Sequence, residues 1–414
     1  MPRALIVGAG IGGLAAGLAL HRIGWDVEIF ERAEAPRELG FGIGLAPNAM
    51  AALRELGVAK AVLAHTVTWN SPTTVEIRQV GGRVLRRFQG DPATLPSALD
   101  SMRLIMRPAL HGELLDAVGR DVVRVNHEVV GFESSGDGVR LRFQNGDMAS
   151  GDVIVGADGF HSAIRSQLHP EECPSRPSGY YALRGAASRV DALGDLQAIW
   201  YFGTGVESGI VQAGPNAVYW FLSLFVDDER QAGAGSAEEV LRRWSPRFDS
   251  QFRAITGSSE IRLDELFERD PLARWGSGTV TLLGDAAHPM LPHTGQGGAQ
   301  ALEDAVALGR ALRDTSDTVT ALRRYEEVRR RRTTAIVKSG PRIARITTSR
   351  SRTIGALRNA VVRVIPMGLI VKGMVRPAAD PNRELGPPLG GLQSTAHVGA
   401  GHRTRKRATK RFPL

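Results

Sequence analysis

The sequence predicts an α/β fold, α+β overall. A Rossmann-like nucleotide-binding domain is interleaved with an antiparallel-sheet domain and followed by C-terminal helices. Three observations carry this. Gly8-x-Gly10-x-x-Gly13 stands between an apolar strand and a helix, and the next strand ends at Glu31. Two later strands end in corners, Asp158-Gly159 and Gly284-Asp285. Residues 179–226 change texture, to short aromatic-rich strands with turns between them.

Length and composition set limits. The 414 residues exceed one ordinary domain and suffice for two with a shared core. One cysteine, Cys173, excludes an intrachain disulfide, a Cys-rich zinc site and a dithiol redox pair, and favours a cytoplasmic home. The chain enters a strand at Arg3 with no secretory-signal pattern, and no apolar run approaches the roughly 20 residues of a spanning helix. Net charge is +9. From Arg323 to Arg376 the only acids are Glu326 and Glu327, and Arg403-Thr404-Arg405-Lys406-Arg407 is basic too. A solvated helical face with a loose tail is the first reading, and attraction to an anionic membrane, or to acidic substrates and cofactors, the second. Nucleic acid is set aside as a partner, because no aromatic-interleaved basic motif accompanies the charge.

Strand Ala4 to Val7 is apolar throughout, as a buried parallel strand should be. A helix, Leu14 to Ile23, follows, and then a strand, Asp26 to Phe30. Gly8 makes the tight turn, Gly10 lets the backbone approach a pyrophosphate, and Gly13 allows helix–strand contact. Glu31 can accept from ribose hydroxyls and would repel a 2′-phosphate, so the site suits FAD or NAD rather than NADP. Arg32, beside it, is counted with the cofactor-binding residues.

Residues 40–48 form a glycine-rich loop leading to a helix, Ala49 to Leu56. Arg37, just ahead, suits an anion or a surface salt bridge equally. Thr73 to Phe88 reads as a hairpin turning at Gly81-Gly82. Arg107 precedes Pro108 at a helix start, where its charge opposes the dipole, which suggests that it serves an anion such as a pyrophosphate. Strands run over 122–133, Val139 to Phe143 and Val153 to Val155. The last ends at Asp158, and Ser162 caps the helix beyond. After the sheet region come a helix, Ala237 to Arg243, and a strand, Ile261 to Phe267. Thr279 to Leu283 then leads through Asp285 and a glycine loop into a helix, Ala299 to Leu312. Helices Thr318 to Val337 and Pro341 to Ile354 close the ordered part, with a short apolar piece around Val361 to Val375. The expected division is 1–70, 101–175 and 277–332 for the nucleotide-binding domain, 71–100 and 176–276 for the sheet domain, and 333–414 for the helical C-terminal region.

Gly8-x-Gly10-x-x-Gly13 with Glu31, Asp158-Gly159, and Gly284-Asp285 with its loop agree in type, order and spacing with one family. Together they resemble the FAD-dependent aromatic hydroxylases, the p-hydroxybenzoate hydroxylase-like group A flavoprotein monooxygenases. The similarity covers about Arg3 to Arg332. It implies that Glu31 holds the adenosine ribose, that Arg107 reaches the pyrophosphate side, and that Asp158 serves FAD and nicotinamide handling. It also implies that Asp285 binds the ribityl chain and that the loop from Pro292 through Gly295, Gly297 and Gly298 lies along the isoalloxazine.

The implied activity is a single-component monooxygenase. NADH or NADPH reduces FAD, and dioxygen gives a C4a-hydroperoxide that hydroxylates or epoxidises an aromatic or polyketide-like small molecule. The aromatic sheet, with Tyr181, Trp200, Phe202, Trp220 and Phe221, is a plausible wall. It supplies candidate substrate residues Tyr181, Trp200, Phe202 and Trp220, with Pro292 from the loop, although strand alternation leaves open which half faces the flavin. His293 is a candidate acceptor of a substrate proton or a packing residue. Arg184 is a candidate for a substrate carboxylate or carbonyl, or for structural pairing. His288 reads as structural. No metal is expected. The chain is expected to be a monomer or homodimer, cytoplasmic, with peripheral membrane contact through its basic C-terminal region as a hypothesis. A flavin-dependent reductase of a lipid-like substrate and a non-catalytic flavin-binding protein are the rival readings.

Overall fold

A computed structural model describes residues 1–36, 40–67, 73–90, 103–135, 138–188, 190–225, 227, 235–257, 260–313, 315–365 and 382–389. Arg37, the segment beyond 365 that includes most of 361–375, and the basic tail lie outside these residues.

The nucleotide-binding sheet has five parallel strands in the order β17-β11-β1-β2-β7. They are β1 (Arg3–Val7), β2 (Asp26–Phe30), β7 (Val123–Arg124), β11 (Val153–Gly156) and β17 (Val280–Leu282). In β1 and β11, Leu5, Ile6, Ile154 and Val155 are fully buried, as a sheet covered on both faces requires. Helix α1 (Ile11–His21) packs on this sheet, and helix α8 (Gly297–Arg313) lies against α1. Both helices begin earlier than their apolar pattern suggests, because glycines form their first turns.

The second sheet has seven strands in the order β16-β12-β15-β14-β13-β4-β5. These are β4 (Thr73–Gln79), β5 (Val84–Gly90), β12 (Arg176–Ala187), β13 (Ala198–Phe202), β14 (Val206–Gly214), β15 (Ala217–Phe225) and β16 (Glu260–Glu268). One correction applies: β13 pairs with β4 in parallel. No tight turn joins those two strands, so nothing forces an antiparallel pair.

Alternation gives this sheet two different faces. On one, Ile199, Tyr201, Ile210, Val218, Trp220 and Leu222 pack with Val240, Trp244, Phe248 and Phe252. The last four belong to helices α6 (Ala237–Trp244) and α7 (Ser250–Thr256) and their connection. Helix α7 was not expected from the sequence. Its signal was Asp249, whose Oδ1 accepts from the Phe252 N–H at 2.9 Å. The other face looks into a cavity.

The C-terminal helices also differ from expectation. Helix α9 (Thr318–Thr347) runs unbroken through Pro341, so the expected break before that residue is absent and the expected boundary at 332/333 falls inside one helix. Tertiary packing overrides the local penalty of proline. Gly340 seats its backbone against Leu291, an added Cβ there lying 3.5 Å from the Leu291 Cβ, and Ala344 is fully buried. Helix α10 (Arg352–Val364) follows.

Candidate active site

A cavity of about 1390 Å³ runs from the C-terminal ends of the parallel strands to the open face of the seven-stranded sheet. Open α/β sheets hold their ligands at those strand ends.

The first wall is the β1–α1 turn. Gly8 has φ +100°, and a Cβ on it would lie 2.5 Å from the Ala157 carbonyl oxygen. A Cβ on Gly13 would lie 1.9 Å from the Gly8 carbonyl oxygen. Gly8 and Gly10 line the cavity, whereas Gly13 sits behind them where helix and strand touch. Gly10 caps α1 without a side chain, so the first N–H groups of the helix are left for a ligand. Glu31 lines the cavity and accepts from the Ala9 and Ala33 N–H groups, each at 2.9 Å. Its two oxygens keep lone pairs for hydroxyl groups. Arg32 and Arg107 line the same wall, Arg107 as the first residue of helix α4 (Arg107–Val118).

Two acids stand at the next strand ends. Asp158 accepts from the Ala163 N–H at 2.8 Å through Oδ2, while Oδ1 is buried without a partner among the described residues. Burial raises its carboxyl pKa, with Ser162 and backbone N–H groups opposing. Asp285 is exposed to the cavity from a short 3-10 turn, Gly284–Ala286. Beyond it the chain turns at Gly295, whose φ is +62°, into α8. Gly295, Gly297 and Gly298 line the cavity, and a Cβ on Gly298 would meet the Ile43 Cδ1 at 2.3 Å.

Under that loop lies a buried charge network that the sequence did not reveal. Arg329 on α9 is fully buried and donates to Asp304 Oδ1 at 2.6 Å and Glu303 Oε2 at 2.5 Å. His288 Nε2 lies 2.6 Å from Asp304 Oδ2, consistent with a structural histidine. Burial alone would raise the Asp304 carboxyl, but His288 and Arg329 outweigh it and hold it at about 2. Asn48 bridges the loop to the network, donating to Gln296 Oε1 at 3.1 Å and to Glu303.

The second wall is the open sheet face. Trp200, Phe202 and Phe221 line it, as does Tyr219, which the sequence reading did not single out. Tyr181 and Trp220 do not. Each is one residue out of phase, and both belong to the opposite core. Trp220 is fully buried with its ring edge-on to Phe252. Arg184 lines the cavity and donates to Asp264 Oδ2 at 2.5 Å, so it is paired within the protein. Pro292 and His293 reach in from the loop. His293 Nε2 is 2.7 Å from Ser223 Oγ, its Nδ1 has no hydrogen-bond partner among the described residues, and burial pulls its pKa down to about 4. Helix α9 closes the third side with Arg332, Ile336, Ser339, Ile343 and Thr347. Their three- and four-residue spacing was the available signal for this missed wall. Among the described residues no metal-binding cluster occurs.

The cradle fits a dinucleotide. Glycines stand where side chains would fill it, a helix N-terminus is open, and Asp158 keeps a buried oxygen without a partner. A family model described as "FAD binding domain" matches residues 2–339. An aurachin C monooxygenase/isomerase of Stigmatella aurantiaca is 37% identical over 350 residues, covering 83% of this chain and 88% of that protein. A phenazine 1,6-dicarboxylic acid hydroxylase of Lysobacter antibioticus is 34% identical, over 81% of this chain and 88% of that one. The crystal structure of Klebsiella pneumoniae HpxO complexed with FAD and uric acid matches with a TM-score of 0.80 at 28% identity, over 93% of this chain and 97% of that one.

Proposed function

The chain belongs to the FAD-dependent aromatic hydroxylase family and is an FAD-dependent monooxygenase. From that premise we propose that it hydroxylates a small aromatic molecule lying between the glycine loop and the open sheet face, using NADH or NADPH as reductant. One observation supports this above others: a single cavity runs from the Gly8–Gly10 turn to Trp200 and Phe221. FAD bound there supplies the redox chemistry and activates dioxygen.

The residues divide the remaining work. Gly10 and the open first turn of α1 bring backbone N–H groups to the pyrophosphate, Gly8 makes the turn that lets them approach, and Arg107 adds positive charge on that side. Glu31 accepts from the adenosine ribose, with Arg32 beside it. Asp158 Oδ1 and the Asp285 carboxylate accept hydroxyl groups of the cofactor chain. Gly295, Gly297 and Gly298 let the loop and the N-terminus of α8 lie flat against a ring system, where the helix dipole favours negative charge. Trp200, Phe202, Phe221 and Pro292 exclude water from the reacting ring.

His293 is a hydrogen-bond partner in this reading and not a base. A group with a pKa near 4 that took a proton from a phenol of pKa about 10 would work against roughly 8 kcal/mol. Arg184, held by Asp264, orients the substrate and does not act on its protons.

A membrane role is a finer part of the proposal. Ile354, Leu357, Val361 and Val364 form an exposed apolar row on α10, flanked by Arg352 and Arg363. That pattern suits an anionic bilayer surface beside the α9 wall. Among the described residues no helix is long and apolar enough to cross a membrane.

The purified protein should oxidise NADH or NADPH and take up dioxygen faster with one class of aromatic compound, releasing hydroxylated product. Flavin reduction without an oxygenated product would refute the proposed reaction. Cosedimentation with anionic vesicles at low salt tests the membrane contact, and its absence there removes that part.

A further inference from the structure

One acid stands among the rings of the open sheet face. Glu207 on β14 is 8% exposed and lines the cavity. Its cross-strand neighbours are Phe202 on β13 and Ser223 on β15. The Thr347 hydroxyl, at the end of α9, hydrogen-bonds its carboxyl. The Glu207 Oε2 is buried and has no hydrogen-bond partner among the described residues. A bare buried carboxyl oxygen costs free energy that a polar ligand group would recover.

Ser223 links this acid to a second orphan. Its Oγ is 2.7 Å from His293 Nε2, and His293 Nδ1 is also buried without a hydrogen-bond partner among the described residues. Two polar atoms that need partners therefore lie on the sheet side of the cavity, where Trp200, Phe202 and Phe221 also line it.

Two cations on or against this sheet are already engaged. Arg184 is held by Asp264. Arg358 on α10 donates to the Thr347 carbonyl at 2.5 Å and the Gly203 carbonyl at 3.4 Å, and it lies outside the cavity lining. Burial pushes the Glu207 carboxyl up to about 7, with Thr347 and Arg358 opposing only in part.

We propose that Glu207 is a specificity-determining residue. With His293 it binds the polar edge of a neutral aromatic alcohol, and it rejects rings that carry a carboxylate. This rests on reading the cavity as the substrate site of a flavin monooxygenase. A ring hydroxyl can donate to the carboxyl or accept from it, so it suits either protonation state. A ring carboxylate has no proton to donate. It would be stripped of water among aromatic rings, and would meet a like charge once Glu207 ionises.

The test uses the FAD-loaded enzyme and two probes that differ by one carboxylate, 1-naphthol and 1-hydroxy-2-naphthoate. Binding is read above neutral pH from the change in flavin absorbance. The wild type should bind the naphthol at least about tenfold more tightly. Glu207→Gln should hold naphthol within about threefold and close most of the gap, while Glu207→Leu should weaken naphthol about tenfold. Retained flavin and the melting temperature show that each variant is folded. Equal affinity in the wild type, an unchanged ratio in the Gln variant, or no binding of either ring overturns the proposal. The parent reading fails separately, if neither NADH nor NADPH reduces the wild-type flavin, and the binding comparison needs no reduction.

Discussion

Gly8, Asp158 and Asp285 on one side of the cavity, and Trp200, Phe221 and Ser223 on the other, reach it by different routes. The first group sits where strand ends, tight turns and helix starts coincide. Each position there tolerates few residue types, since a Cβ on Gly13 would lie 1.9 Å from a backbone oxygen. The second group is presented by alternation alone. Shifting a strand by one residue would replace Trp200 by Tyr201 and Phe221 by Trp220, and both faces would still be aromatic. The cofactor side is thus constrained by backbone geometry, and the substrate side by which of two similar faces is turned inward. Substrate range can change on the second side while the first is held.

The largest effect should come from under the cofactor side. Arg329→Met leaves Glu303 and Asp304 buried without their shared cation and should cost about 3 to 5 kcal/mol. Thermal unfolding and flavin retention would register it, and a variant as stable as the wild type would show that the network does not support the loop.

Next comes a pair that sets one sheet face against the other. Trp220→Ala should destabilise by about 3 to 5 kcal/mol, because its ring fills the closed core. Trp200→Ala should cost stability under about 1 kcal/mol and weaken aromatic binding instead. Denaturant melts and ligand titrations on both variants decide this, and equal stability losses would erase the distinction between the faces.

A pH comparison is smaller. The folded protein holds the Glu207 proton more tightly than an unfolded chain does. This contribution to stability is complete below the usual carboxyl pKa and is lost as pH rises through about 7. Glu207→Gln should remove up to roughly 3 kcal/mol of that decline. Melting temperatures of the two proteins, followed across this range, should diverge as the pH increases; parallel curves would contradict it.

His293→Gln should matter least. A ring kept neutral down to about pH 4 should add no inflection near pH 6.5 to the rate profile, and its loss should slow turnover less than about tenfold. A profile that loses a limb near neutrality in the variant would restore the histidine as a base.

The same contrast explains what could be read in advance. The Gly8–Gly13 turn, Glu31, Asp158 and Asp285 were legible because backbone strain and strand-end chemistry restrict residue type. Trp200 and Trp220 could not be told apart, since phase against the core is settled only when α6 and α7 pack on one face. Glu207 was passed over because a lone acid in a strand looks like a solvent-facing residue until its burial is known. The α9 wall was missed for a different reason. Pro341 suggested a break, and contacts of Gly340 and Ala344 made far away in sequence overrule it.

Arg329 also bears on the order of events during synthesis. The strands, turns and acids of the cofactor side are complete by Asp304, yet their balancing guanidinium arrives only with α9. A chain emerging from the ribosome therefore carries two carboxylates that cannot be enclosed until residue 329 is free to dock. A chain cut short before that point should neither close the cradle nor hold a flavin.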